Sequence, residues 1–353
     1  MHTQGSGKTI GFGLIGAGMI ANYHAAAIQA LAAHHNVRLV GIACRTAATA
    51  EQFALKHGLP FHTSDTAALV AHPDIDVVCI VTPSGAHLEP ALQAIAAGKH
   101  VVVEKPLEIS VARVDAMLAA ADRAGLMVAA IFQARFSEGA RALKAALDRG
   151  RFGRLSLCSA YVKWYRSKEY YKGWKGTLAL DGGGALMNQA IHAVDLLQWL
   201  AGMPSEVFAW TTRRVHTGIE AEDTACASLR FAHGALGSIE ATTAAWPGWE
   251  RRIDICGEFG SASIEDDRIV RWDFREAEPG DAALLAANGG QAQSGAGAPD
   301  QISFHGHLRQ LEEVVLALEG QAPLSVSGRD ARNTVSLVCG IYESAKRGVP
   351  VQL

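Results

Sequence analysis

Apolar and polar positions follow two different rhythms along this chain, and the change of rhythm divides it. Up to about residue 131, short solid apolar runs alternate with stretches whose apolar residues recur three and four apart. The runs Ile10–Ile15, Val37–Ala43, 76–81, His100–Val103 and 127–131 read as buried strands, and Met19–Leu31, 46–57, 86–97 and Val111–Ala124 read as the helices between them. Strands alternating with helices predict a parallel, doubly wound α/β sheet of the Rossmann type. In such sheets ligands bind beyond the carboxyl ends of the strands, so the residues that follow each strand are the informative ones.

From residue 137 the pattern changes. A helix over 137–149 leads to a strand over 155–164, a polar aromatic loop, three glycines at 182–184 and a helix over 186–200. Five β-like runs follow, at 206–215, Thr224–Phe231, 236–244, 251–256 and 261–274, the last turning as a hairpin at Asp266-Asp267. Such close spacing predicts a large, open, mostly antiparallel sheet. Residues 288–300 are low in complexity and read as a mobile loop. Helices at 304–318 and Gly328–Arg347 and a strand at 349–353 complete the chain.

Length and composition bound this picture. The 353 residues suffice for two domains, expected at 1–131 and 132–353, and 49% hydrophobic with 19% charged residues describes a soluble globular protein. A net charge of -3 leaves no basic footprint for nucleic acid. Six scattered cysteines show no metal-binding spacing, which predicts reduced thiols, no metal site and a cytoplasmic location. No apolar run has the length of a membrane span, and no signal peptide is evident.

The most informative chemistry is Gly16-Ala17-Gly18-Met19-Ile20-Ala21, which lies between the first strand and the first helix. Gly16 permits the turn, Gly18 leaves room for a diphosphate, and small Ala21 lets the helix pack closely on its strand, with its N-terminal N–H groups facing the anion. An overlapping Gly11-Phe-Gly13 match is rejected because no helix could start at Gly13 without consuming the strand. Other cofactor candidates follow later strands: Arg45, then Thr82-Pro83-Ser84 with His87, then Glu104-Lys105. NAD-binding proteins usually place an acidic residue after the second strand. Here Cys44-Arg45-Thr46 stands there, which favours a 2′-phosphate and so NADP.

Lys105, placed between Glu104 and Pro106, could polarise or protonate a substrate oxygen. Asn188, His192 and Asp195 are spaced to share one helical face, and the 182–184 glycines upstream would admit close approach to the backbone. Lys163 and Tyr165 open an aromatic, donor-rich stretch that suits a hydroxyl-rich ring.

With these residues assembled, the chain resembles the Gfo/Idh/MocA oxidoreductases, which include glucose-fructose oxidoreductase and inositol dehydrogenase. GLIGAGMIA, VTPSGAH, VVVEKPL, GGGALMNQAIHAVDLLQWLAG, AEDTACASLRF and IYESAKRGVPVQL carry the resemblance over nearly the whole length. It implies a dinucleotide-binding domain joined to an α/β domain whose open sheet commonly builds a dimer or tetramer. It also implies a cis peptide before Pro106, Lys105 as an active-site residue, and His192 as the residue exchanging the hydroxyl proton. Many polyol dehydrogenases of the family carry aspartate where this chain has Asn188; a neutral amide orients hydroxyls but accepts no proton. The resulting expectation is an NAD(P)-dependent enzyme interconverting a secondary alcohol and a ketone on a sugar, polyol or sugar derivative. Lys105, Lys163, Tyr165, Asn188 and His192 would meet the substrate. The alternative is an NAD-dependent glycoside hydrolase acting through transient oxidation.

Overall fold

The computed structural model describes residues 8–287 and 304–353. The low-complexity stretch 288–300 lies outside them. The chain forms two compact units, one comprising 1–108, 112–131 and 304–329, the other 109–111, 132–303 and 330–353.

The first unit is built on six parallel strands in the order β3-β2-β1-β4-β5-β6. In chain order, β1 (Ile10–Ile15) leads to α1 (Met19–Leu31), β2 (Val37–Ala43) to α2 (Ala47–His57), and β3 (Phe61–Thr63) to α3 (Thr66–Val70). Next, β4 (Val77–Ile80) is followed by α4 (Leu88–Ala96), β5 (His100–Val103) by α5 (Val111–Ala124), and β6 (Val128–Ala130) closes the sheet. Sequence patterning misses β3 and α3, because a three-residue strand with both end residues half-buried shows neither a solid apolar run nor an alternation. The central strands are apolar on both faces because helices cover both, and Phe12, Leu14, Val77 and Cys79 are fully buried. Gly11 and Gly13 lie inside β1, and a Cβ at Gly11 would stand 1.7 Å from the Asp74 carbonyl oxygen, so these glycines serve strand packing rather than a phosphate loop.

The second unit holds α6 (Glu138–Asp148), β7 (Leu155–Lys163), a π-helical stretch at Ala185–Ala190 that runs into α7 (Ile191–Ala201), and β8 (Pro204–Thr212) to β13. The remaining strands are β9 (Thr224–Phe231), β10 (Leu236–Thr242), β11 (Arg252–Gly257), β12 (Gly260–Glu265) and β13 (Arg268–Phe274). The β12–β13 hairpin turns at Asp266, whose φ of 49° is left-handed. After α8 (Asp281–Ala287) the chain returns to the first unit as α9 (His305–Leu318), then re-enters the second through α10 (Gly328–Arg347) and β14 (Val351–Gln352). The eight strands run β13-β12-β11-β7-β10-β9-β8-β14, all antiparallel except β10 beside β7. α7 covers one face, packing on β7 and β11.

The return of 304–329 departs from the expected contiguous second domain at 132–353. The physical reason is a core. Leu311, Val314 and Val315 of α9 are fully buried in the same cluster as Ile28 and Leu31 of α1, and Gln310 Nε2 donates to the Ala130 carbonyl at 2.5 Å. Helical periodicity shows that α9 has an apolar face but not which unit that face covers.

Candidate active site

In the first unit, the expected cofactor residues gather at the carboxyl ends of adjacent strands. Gly16 takes a φ of 110°, and a Cβ there would lie 2.7 Å from the Val81 carbonyl oxygen, so no other residue fits the turn from β1. Ala17 is half-buried, and Gly18 caps α1 in an extended conformation with none of the described residues within 4 Å of where its Cβ would be. Among the described residues no side chain caps α1, and no acidic residue stands in its first turn, which begins with Met19 and Ile20. An open helix N-terminus bare of competing anions fits a dinucleotide diphosphate. Arg45 is exposed after β2, beside the turn in which the Gly16 N–H bonds the Ala43 carbonyl at 2.9 Å.

After β4, the Thr82 hydroxyl donates to the Ala86 carbonyl at 2.9 Å, Pro83 precedes a single 3-10 turn, and Ser84 is buried in it. His87 is 1% exposed, with its ring nitrogens 3.0 Å from the carbonyl oxygens of Pro106 and Thr82. It therefore ties the loop after β4 to the loop after β5, and burial pushes its pKa down. Glu104 is also turned inward: Oε1 faces His24 Nε2 at 2.8 Å and His307 Nε2 at 3.2 Å, and Oε2 accepts the Lys105 N–H at 3.2 Å. Burial opposes ionisation, but the bonds from His24 and His307 outweigh it and hold the Glu104 carboxyl well below its ordinary value. His87 and Glu104, both expected among the cofactor residues, direct their polar side-chain atoms at protein partners. Lys105 itself is half-buried, and the Lys105–Pro106 peptide is cis.

In the second unit, three glycines precede the helix carrying Asn188 and His192, and what approaches them is the protein. Gly182 has a φ of 74°, a Cβ at Gly183 would meet the Tyr342 hydroxyl at 2.1 Å, and one at Gly184 would meet the Glu222 carbonyl oxygen at 1.8 Å. The buried Glu222 carboxylate accepts the N–H groups of Gly184 at 3.0 Å and Leu186 at 2.8 Å and the Tyr342 hydroxyl at 3.0 Å. These bonds satisfy the N–H groups at the start of the π-helical stretch, while burial, the largest influence, raises the pKa of Glu222.

The expected polar face divides. Asp195 is fully buried and receives a two-pronged bond from Arg135, Nε at 2.7 Å and Nη2 at 2.6 Å, with the Thr334 hydroxyl at 2.8 Å. It is a structural anchor. His192 is 8% exposed, with its ring edge-on to Phe132 at 5.8 Å. Asn188 donates to the buried carboxylate of Asp181, while its Oδ1 accepts Gln189 Nε2 at 2.6 Å. Gln189 also donates to the Tyr170 hydroxyl at 2.6 Å and accepts from Arg166 Nε at 2.8 Å. Sequence reasoning missed Asp181 and Gln189; the position of Asp181 immediately before the glycines was the available signal.

Lys163 and Tyr165 are not brought to this network. Along β7 the side chains of Cys158, Ala160 and Val162 are buried beneath α7, so Tyr161 and Lys163 point to the other face. There Lys163 pairs with Glu240 at 3.0 Å and lies over Trp249, in a depression also lined by Arg252 and Asp254. Tyr165 packs edge-on against Trp246 at 4.8 Å.

The fold and the open α1 N-terminus define a dinucleotide-binding protein, and its likeness to known families and structures makes it an NAD(P)-dependent oxidoreductase acting on CH–OH groups. Residues 10–132 match the model of the oxidoreductase family with an NAD-binding Rossmann fold, and residues 140–263 match the GFO/IDH/MocA C-terminal domain. The chain belongs to the Gfo/Idh/MocA family. It is 33% identical to the WlbA dehydrogenase of Bordetella pertussis, solved with NADH and UDP-GlcNAcA, over 98% of this chain and 99% of that one, at a TM-score of 0.85. It is 31% identical to levoglucosan dehydrogenase of Pseudarthrobacter phenanthrenivorans over 67% of this chain and 68% of the relative. Inositol 2-dehydrogenase of Rhizobium meliloti is 28% identical over 93% of this chain and 94% of the relative. No helix among the described residues is long and apolar enough to cross a membrane.

Proposed function

We propose that the enzyme interconverts a secondary alcohol and a ketone on a sugar, polyol or sugar derivative, with Lys105 and His192 as its catalytic residues. The likeness to the WlbA dehydrogenase along nearly the entire chain carries the substrate class. Bound at α1, the nicotinamide cofactor supplies the hydride donor or acceptor. The α1 N-terminus holds the diphosphate. Lys105 donates a hydrogen bond to the reacting oxygen and stabilises the charge that develops on it. His192 takes the hydroxyl proton in oxidation and returns it in reduction. Asn188 has its amide fixed by Asp181 and Gln189, so it meets a substrate hydroxyl in one orientation only. NADP(H) is accepted as well as NAD(H), a reading supported by exposed Arg45 and the absence of a carboxylate among Cys44, Arg45 and Thr46.

The protein is a cytoplasmic homo-oligomer assembled through the open sheet face, where Leu157, Trp210 and Leu236 are exposed. All six cysteines are free, which supports a reducing compartment. The deciding experiment follows nicotinamide absorbance with a panel of free sugars, inositols, sugar acids and nucleotide sugars. Turnover is expected with at least one of them and none with simple alcohols; absence of turnover across the panel refutes the substrate class.

A further inference from the structure

The best-formed polar cluster outside the residues proposed to meet substrate is His24, Glu104 and His307, one side chain each from α1, the end of β5 and α9. All three are buried, at 0%, 5% and 1% exposure. Both imidazoles direct Nε2 at one carboxylate oxygen, and the two rings meet edge to face at 5.4 Å. Two histidines and a glutamate this close could hold a divalent cation. The second layer of contacts argues otherwise. Metal-bound imidazoles almost always donate their other ring N–H to an acceptor. Here the Nδ1 atoms of both His24 and His307 have no hydrogen-bond partner among the described residues. The arrangement fits a carboxylate gripped by two Nε2–H donors better than a metal site.

We infer that His307, together with His24, is a positioning residue for Lys105: the pair clamps Glu104 Oε1, leaving Oε2 to hold the Lys105 backbone N–H at the mouth of β5. This rests on the proposal that Lys105 acts at the reacting oxygen. It also gives the return of α9 to the first unit a function, since the loop after β5 is set by a residue some two hundred positions later. The groups facing Glu104 are His24 from α1, His307 from α9, Cys79 from β4 and His87 ahead of α4. The His87 ring nitrogens face the carbonyl oxygens of Pro106 and Thr82, and burial pushes the Cys79 thiol up and the His87 imidazole down, so neither brings Glu104 a positive charge in place of a lost imidazole donor. With one donor removed, desolvation is less opposed and the Glu104 carboxyl takes up a proton at higher pH.

The test compares His307→Leu with His307→Gln, whose amide N–H can replace Nε2–H. Between pH 8 and 6 the ratio of kcat in His307→Leu to kcat in the parent protein should fall about tenfold, a ratio that cancels the His192 limb common to both, and NADH affinity should be unchanged. His307→Gln should restore the parental profile. Ring nitrogen-15 NMR of the parent protein, which needs no variant, should find both histidines as Nε2–H tautomers at pH 7.5. An Nδ1–H tautomer at either position, or about one tightly bound metal ion per chain by elemental analysis, overturns the clamp. So does a parental kcat profile in His307→Leu when Lys105→Ala is inactive. An active Lys105→Ala overturns the catalytic proposal instead, whatever His307 does.

Discussion

Replacing Arg135 by methionine isolates the anchor beneath the helix that carries His192. The substitution removes both charged bonds to Asp195, at 2.7 and 2.6 Å, and the guanidinium packed over the Trp199 ring at 5.4 Å. Asp195 would keep only neutral donors, the Thr334 hydroxyl at 2.8 Å and Gln198 Nε2 at 3.4 Å. Because both side chains are almost wholly buried, at 1% and 0%, solvent cannot replace the lost partner. Breaking one side of such a pair costs about 3–5 kcal/mol, whereas replacing both partners by apolar groups is often neutral. Arg135→Met should therefore lower stability by about 3–5 kcal/mol, and adding Asp195→Leu should recover most of that loss. Urea unfolding followed by tryptophan fluorescence is the assay, because all seven tryptophans, from Trp164 to Trp272, lie in the second unit and report its unfolding alone. A single substitution costing less than about 1 kcal/mol, or a double substitution no more stable than Arg135→Met, would refute the reasoning.

Other consequences are as direct. Lys105→Ala and His192→Asn should each lower turnover by about 100-fold or more in steady-state assays while cofactor binding measured by fluorescence titration persists; for oxidation, kcat/KM should rise with pH in the parent enzyme and lose that limb in His192→Asn. Arg45→Ala should weaken NADP(H) binding about tenfold or more and leave NAD(H) nearly unchanged, as read by calorimetry. Gly184→Ala should destabilise by roughly 3 kcal/mol because its Cβ would fall 1.8 Å from a carbonyl oxygen, whereas Gly18→Ala, with open space there, should unfold like the parent but bind NAD(H) more weakly. His24 is buried with its pKa lowered chiefly by desolvation, so the unfolded chain binds a proton at His24 that the native state does not. Native stability should accordingly fall as pH drops below the ordinary 6.5, and Glu104, held below its ordinary 4.5, should add a further loss in more acid solution. Thermal melts of His24→Gln should show a shallower slope in the first of these windows.

Local rules made much of this protein legible from sequence. A solid apolar run, a glycine with obligatory left-handed geometry and a helix with an open N-terminus are properties of neighbouring residues, so β1, Gly16 and α1 could be read without a structure. The same holds for the Asp266 hairpin and for the alternation that places every second residue of β7 on one face. Tertiary structure decided the choice of partners. Sequence spacing aligned Asn188, His192 and Asp195, but only the fold reveals that Arg135 claims Asp195 and that Asp181 claims Asn188. The glycines at 182–184 signalled a close approach, and what approaches is Glu222 and Tyr342, from distant parts of the chain. Likewise the amphipathic pattern of α9 predicted a helix without naming the core it would enter. A hydrogen-bond donor or an apolar face states a need, and which distant group meets that need depends on how the whole chain closes around it.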